Sequence, residues 1–271
     1  MTRAAGVLSC GTLASALVAM AGAEQWTSSN NAERQEVTVS YMVSIPTLSL
    51  YEPVLVDFRI NNFGPAEVTA NLGRGFNGNF VVVVTTPSGR TTDPLRVTHR
   101  GAAVLGRLSI PPSGDKGGTL VLNEWYDFNE TGTYRIGIQL EGEFRAASGA
   151  EVDALTTATI QMEFTARDQE RLRVTAEKLA SAVLAAKSVG AAFTAARALT
   201  YVDDPIGAQY CREVLSRTTR ADVILVDGLS RMGNEEAREV LASLAGGQGE
   251  RALLARGALA RLATSPGPGV R

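Results

Sequence analysis

The spacing of the apolar residues changes once along this chain, close to residue 166, and this change limits the possible folds most strongly. Before it, segments such as residues 37–43 alternate apolar and polar side chains, as a half-buried strand does. After Asp168, apolar side chains recur every three or four residues, which is the period of a helix. The sequence therefore predicts an α+β chain of two domains, an antiparallel β-sandwich over residues 24–166 and an α-helical domain over residues 167–263.

Short strands separated by Pro, Gly and Asn account for the first domain. Such a series, without any segment of helical period between the strands, is typical of a sandwich. The glycine-rich residues 73–79 predict a turn between two of the strands. The predicted strands are residues 37–43, 54–60, 67–72, 80–84, 104–110, 119–122, 134–140 and 157–164.

Residues 129–136, with the sequence NETGTYRI, contain a more specific signal. Gly132 permits a sharp turn and Tyr134 begins the next strand, so the tyrosine hydroxyl is expected to hydrogen-bond back to the backbone of the corner. This pattern resembles the corner of bacterial immunoglobulin-like or fibronectin-like sandwich domains. The resemblance implies that Gly132 and Tyr134 have structural roles.

The second domain repeats itself at an offset of 30 residues. The segment from Ala198 to Val202 aligns with the segment from Gly228 to Met232, and again with residues 258–262. The turns that follow the first two segments also align, residues 203–205 with residues 233–235. A match in one register, turns included, predicts stacked helix pairs.

Residues 221–237, with the sequence ADVILVDGLSRMGNEEA, resemble the short HEAT-like repeats of bacterial proteins, of the kind found in phycobilisome-lyase-type domains. The resemblance covers residues 190–263 and implies a short α-helical solenoid of the armadillo type. Such arrays bury a core when about three units stack, so the helix from Asp168 is expected to cap one end. The lyase activity is not expected here, because no Cys or His arrangement for a cofactor is present.

The first 23 residues predict export. Arg3 precedes an apolar stretch that ends in Ala21, Gly22 and Ala23, as in a signal peptide cleaved after Ala23. The alternatives are an uncleaved membrane anchor and a lipoprotein modified at Cys10. Either way the mature chain is expected in the periplasm or outside the cell. Residues 264–271, rich in Pro and Gly, predict a disordered tail.

The composition argues against most enzyme classes. A net charge of −2, one His and two Cys disfavour nucleic-acid binding, disulfide frameworks and most zinc sites. Signal cleavage would leave Cys211 alone, and a small buried core residue is the better interpretation of it. We therefore predict no enzyme activity, no catalytic residues, no metal site and no cofactor. A glycosidase that uses carboxylates alone is the enzymatic alternative, with Asp127 and Glu130, or Glu141 and Glu143, as the pairs to consider.

The predicted function is to bind another protein of the envelope through the helical repeats, without stable insertion into the membrane. Tyr201, Arg231 and Arg261 occupy equivalent repeat positions, and Tyr and Arg are enriched at binding hot spots. With the apolar face at positions 198, 199 and 202, Thr200 is expected on the opposite face.

The alternative function is an inhibitor or a ligand- or carbohydrate-binding sandwich, with the repeats as a docking platform. Its candidate inhibitory loops are residues 74–79 and 88–94, and its candidate sugar-stacking rings belong to Trp125, Tyr126 and Phe128.

Overall fold

The computed structural model describes residues 36–71, 76–96 and 107–264. The predicted signal peptide (residues 1–23), Cys10, the single histidine His99 and residues 265–271 lie outside the described residues, as do parts of the predicted strand 104–110 and of the predicted loop 74–79. Thr264, the first residue of the predicted tail, is the last residue of a helix.

Eleven strands are present among the described residues. They are β1 (Val37–Val43), β2 (Thr47–Ser49), β3 (Leu55–Asn62), β4 (Val68–Asn71), β5 (Phe80–Thr85), β6 (Arg107–Ile110), β7 (Asp115–Val121), β8 (Gly132–Leu140), β9 (Glu143–Ala146), β10 (Ala154–Leu155) and β11 (Thr157–Thr165). The eight predicted strands correspond to β1, β3, β4, β5, β6, β7, β8 and β11. The short strands β2, β9 and β10, of two to four residues, were not predicted.

The strands form two four-stranded sheets, with the orders β10-β1-β3-β7 and β2-β11-β8-β5, and a small third sheet, β6-β4-β9. The prediction of a β-sandwich is confirmed, and most pairs are antiparallel. Two short edge strands, β10 on β1 and β2 on β11, pair in parallel. In β8, Tyr134, Ile136 and Ile138 are buried while Arg135 and Gln139 are exposed, so one face of the sheet contributes to the core.

The predicted tyrosine corner is present. Gly132 has φ of +117°, a conformation that residues with a Cβ atom avoid. The Glu130 N–H donates a hydrogen bond of 2.9 Å to the Tyr134 hydroxyl. Burial raises the pKa of Tyr134, and its hydrogen bond to the backbone acts in the opposite direction. The tyrosine thus fixes the chain where it enters β8.

Six helices follow the sandwich within the described residues. They are α1 (Gln169–Ala185), α2 (Val189–Thr200), α3 (Pro205–Arg217), α4 (Asp222–Met232), α5 (Glu235–Ala245) and α6 (Glu250–Thr264). Asp168 caps the amino end of α1, since its carboxylate accepts from the Arg171 N–H. Asp204 and Asn234, aligned in the repeat, cap α3 and α5 in the same way. A break at residues 186–188 separates α1 from α2, and Gly190 lies in the first turn of α2.

The helices pack in two layers. In one layer α3 contacts α1 and α5, and in the other α4 contacts α2 and α6. Ala198, Gly228 and Ala258, at the same repeat position of α2, α4 and α6, are all buried, which lets these helices approach one another closely. The 30-residue offset of the sequence is thus the repeat of this second layer.

Thr200 does not lie on the solvent face, contrary to the prediction. Its side chain is buried at 3% exposure, and a Cβ atom on Gly228 would meet its methyl carbon at 2.1 Å. Because Gly228 has no side chain, α4 approaches α2 closely enough to cover the threonine. The hydroxyl of Thr200 donates to the Arg197 carbonyl, so its polar atom is satisfied inside the helix.

Candidate functional site

The sandwich and the helical region meet at a junction centred on the carboxylate of Glu52, in the loop between β2 and β3. This side chain is 2% exposed. It accepts hydrogen bonds from the Ser49 N–H at 2.7 Å, the Arg171 guanidinium at 2.6 Å and the Thr175 hydroxyl at 2.7 Å. Three donors from both parts of the molecule therefore stabilise one buried negative charge.

Further polar contacts extend this junction. Arg197 of α2 pairs with Glu124, which follows β7 in the sandwich, at 2.5 Å. The Asp203 N–H donates to the Tyr51 carbonyl at 3.2 Å. Arg167, in the linker before α1, forms an ion pair of 2.6 Å with Asp204, whose side chain is 4% exposed. The start of α1, the end of α2 and the start of α3 are thereby held against one end of the sandwich.

The predicted residues Tyr201, Arg231 and Arg261, here called the polar row, lie at the carboxyl ends of α2, α4 and α6. The carbon of the Arg231 guanidinium lies 3.6 Å from the centre of the Tyr201 ring, a cation–π contact, and an N–H of the same group donates to the Thr200 carbonyl. Arg261 pairs with Asp227 at 3.1 Å, and both side chains are exposed. The structure thus brings Tyr201 and Arg231 together, and it leaves Arg261 in a solvated ion pair.

Tyr201 lies partly within the junction. Burial raises the pKa of its hydroxyl, the positive charge of Arg231 opposes that shift, and Glu124 reinforces it. Part of the polar row therefore already serves a contact inside the molecule.

A second row, which the sequence analysis missed, lies nearer to the amino ends of the same helices. Phe193, Val223 and Leu253 are 40%, 61% and 64% exposed and are separated by the same 30 residues. We call these three side chains the apolar row. Each lies eight residues before a member of the polar row. The self-alignment that identified the polar row would have found them if it had been extended two helical turns upstream.

The three side chains of the apolar row and the two arginines of the polar row are exposed, whereas Tyr201 is half-buried. In α4 the exposed residues are Val223, Asp227 and Arg231, at intervals of four along one stripe. Because α4 contacts α2 and α6 within its layer and α3 and α5 in the other, only this stripe remains accessible. We call the surface formed by the two rows the outer face.

A groove of about 770 Å³ lies beside the apolar row, at the amino ends of α2, α4 and α6. Its apolar lining comes from Phe193, Val223, Ile224 and Leu254. Polar and charged side chains, among them Arg220, Asp222 and Arg251, line the rest of the groove. Lone exposed apolar residues are ordinary on protein surfaces, whereas apolar side chains grouped within a polar border are typical of an interaction site.

The rings considered for sugar stacking lie mostly in the core of the sandwich. Trp125 and Phe128 are 8% and 6% exposed, and Tyr126 is half-buried against the same core. Phe128 stacks on Phe164 with ring centres 5.1 Å apart, and the indole N–H of Trp125 donates to the Phe80 carbonyl. These rings stabilise the sandwich and do not form an exposed stacking platform.

The other candidate groups have ordinary structural surroundings. Arg96 binds Glu141 through both of its terminal nitrogens, at 2.5 and 2.7 Å, and lowers the pKa of that carboxyl, while Arg145 pairs with Glu143. In the predicted loop 88–94, backbone hydrogen bonds link Thr86 to Arg90 and Val84 to Thr92.

The described residues contain no group of three or more His, Cys, Asp or Glu side chains that could hold a metal ion. None of their helices combines the length and the apolar character needed to cross a membrane.

Comparisons with known proteins give only distant likenesses. No protein-family model and no curated protein matches the chain. Among solved structures, the CARDB domain of the PF1109 protein from Pyrococcus furiosus, in complex with di-metal ions, is 12% identical, and the match covers 49% of this chain and 92% of that chain with a TM-score of 0.27. A PapD-like domain of human CEP192 is 15% identical, with 48% and 85% covered and a TM-score of 0.27.

The alkylpurine DNA glycosylase AlkC of Pseudomonas fluorescens, bound to DNA containing an abasic site analog, is 11% identical with a TM-score of 0.27. That match covers 49% of this chain but only 31% of the glycosylase. At these identities and TM-scores, the likenesses carry no argument about what this chain binds or does.

Proposed function

We propose that this chain is a non-enzymatic binding protein that holds another protein on the outer face of its helical region. The observation that carries the proposal is the repetition of exposed apolar side chains at a 30-residue spacing in α2, α4 and α6, beside the exposed Arg231 and Arg261 of the polar row in the same register. Aromatic, aliphatic and Arg side chains that are held in place and exposed together have the composition of interface hot spots.

The packing of the helices supports this proposal. Three helix pairs, α1–α2, α3–α4 and α5–α6, stack side by side, which agrees with the proposed HEAT-like character of the repeat. Stacked repeats present an extended surface built from equivalent positions, suited to a partner that spans several units. The sandwich, attached at the other end of α2, would orient that surface.

The compartment is part of the same proposal. The sequence of residues 1–23 supports export, with the partner in the bacterial envelope and the mature chain in the periplasm or outside the cell. An uncleaved anchor, or a lipid on Cys10, would keep the same surface in the same compartment.

Comparative capture from an envelope extract tests the proposed function. The full chain is compared with a Val223→Asp/Leu253→Asp variant and with Val174→Asp, a matched control because Val174 is 50% exposed on α1, in the other layer. We expect mass spectrometry to identify at least one protein that wild type and control capture equally and the double variant loses.

Capture of the same proteins by all three chains would contradict the proposal. If capture were instead lost on replacing residues 88–94 of the sandwich, the inhibitor or ligand-binding alternative would take its place. Equal circular dichroism spectra and melting temperatures would show that the variants are folded.

A further inference from the structure

We propose that the partner contributes an amphipathic helix with apolar side chains at every seventh position and an acidic flank, and that this helix lies across α2, α4 and α6. The inference rests on the proposed function and specifies the chemistry of what the outer face holds.

The spacing of the apolar row fits a crossing helix. Packed helices lie about 8–10 Å apart, so neighbouring members of the row are separated by about that distance. Seven residues of an α-helix advance about 10.5 Å. A helix laid across the layer would thus place successive heptad side chains on Phe193, Val223 and Leu253, with the groove at the amino ends receiving its bulkier residues.

The charges next to the apolar row favour an acidic flank. Eight residues separate the two rows along each helix, about 12 Å, which is close to the diameter of a helix with its side chains. Within the described part of the chain, no carboxylate lies within ion-pair distance of Arg231, whose guanidinium carbon lies 3.6 Å from the centre of the Tyr201 ring. Asp203 interacts with Arg231 only at longer range: burial raises the pKa of that carboxyl, and the charge of Arg231 opposes the shift. Arg231 is therefore pre-oriented to receive a carboxylate from outside.

The charges of the rest of the helical region also favour an acidic partner. Arg261 has only the exposed Asp227 as a partner, at 3.1 Å. Residues 167–271 contain 15 basic and 12 acidic side chains, a net charge of +3. A partner helix with a basic flank would place like charges against the polar row, which is unfavourable. Two copies of this chain packed outer face to outer face would also bring like charges together, since each copy has the same surplus of arginines.

A displayed library of three-heptad helical peptides tests the proposal. The library is selected on the full chain and counter-selected on the Val223→Asp/Leu253→Asp variant. We expect enriched peptides to carry apolar residues at a spacing of seven, with Asp or Glu along one flank. The best synthetic peptide should bind wild type and Val174→Asp equally, and the double variant at least tenfold more weakly, as measured by fluorescence anisotropy.

The charge pairing has its own measurement. Arg231→Glu should weaken the acidic peptide at least tenfold, and a version of that peptide with Lys in place of its flank carboxylates should prefer Arg231→Glu to wild type. Such a reversal cannot arise from a merely unfolded variant.

Three results would overturn the inference: enrichment of basic or extended peptides, no enrichment that depends on the apolar row, or a dimer in sedimentation analysis that the double variant abolishes. The first two results leave the proposed function standing as long as capture of the envelope protein depends on Val223 and Leu253. If that dependence is also absent, the proposed function fails too. In the third case the occupant is a second copy of this chain.

Discussion

At the scale of single residues, the structure depends on polar side chains to which the sequence pattern gives little weight. Glu52 lies among residues with strand and turn signals, and nothing in its neighbourhood predicts burial. Its role is visible only when Arg171 and Thr175, more than a hundred residues away, are brought beside it. Long-range pairs of this kind have no local signature, so the junction could not be predicted.

Replacing Glu52 by Ala should lower the free energy of unfolding by about 3 kcal/mol, because the Ser49 N–H and the Arg171 guanidinium would lose their acceptor. Urea denaturation followed by circular dichroism measures the change. The matched control is Glu177→Ala, which removes an exposed carboxylate paired with Arg173 at 3.0 Å and should cost less than about 0.5 kcal/mol. Equal effects of the two substitutions would contradict the account of the junction.

Cys211 should be unreactive in the folded protein. It is fully buried in the helical core, and burial raises the pKa of its thiol to about 12, so almost none of the nucleophilic thiolate forms at pH 8. A Cys10→Ser chain, which carries Cys211 alone, should react with a thiol reagent only after urea is added. Rapid reaction of the native chain would show that the core opens at this site.

At the scale of elements, the alternation of side chains predicted the long strands, whereas the strands that were not predicted, β2, β9 and β10, have two to four residues. Strands β1, β8 and β11, of seven to nine residues, alternate cleanly, and the corner before β8 has its expected geometry. The helical repeat was also visible, but the side on which Thr200 lies depends on how closely α4 approaches. That distance is set by the missing side chain of Gly228, a property of a pair of helices.

Two glycine substitutions should therefore have opposite effects. Gly228→Ala should destabilise the protein by about 2 kcal/mol, because the new Cβ would meet the Thr200 side chain at 2.1 Å. Gly257→Ala, in α6, should stabilise it by about 0.5–1 kcal/mol, because the nearest atom is an Arg261 nitrogen at 4.0 Å and Ala is the better helix former. Thermal unfolding of both variants measures the difference, and a shift of the same sign for both would contradict the close approach.

At the scale of the whole molecule, the sandwich holds one end of the helical region and leaves the other end accessible. Contacts such as those of Glu52 and Arg197 hold the start of α1 and the end of α2 against the sandwich, which leaves the amino ends of α2, α4 and α6 accessible. The polar row was predictable from the repeat register alone. The same register, extended upstream, also gives the positions of the apolar row, but their exposure required the structure, because a sequence does not show which apolar positions of a repeat are covered by the other layer.

The central claim, that the outer face holds another protein, is tested most directly by cross-linking in cells. A photoreactive phenylalanine analogue is placed at position 223 or, as the control, at position 174, since both native valines are exposed on the helical region. The account predicts a discrete adduct of this chain with one envelope protein from position 223 and none from position 174. Adducts of equal yield from both positions, or an adduct from position 174 alone, would contradict it.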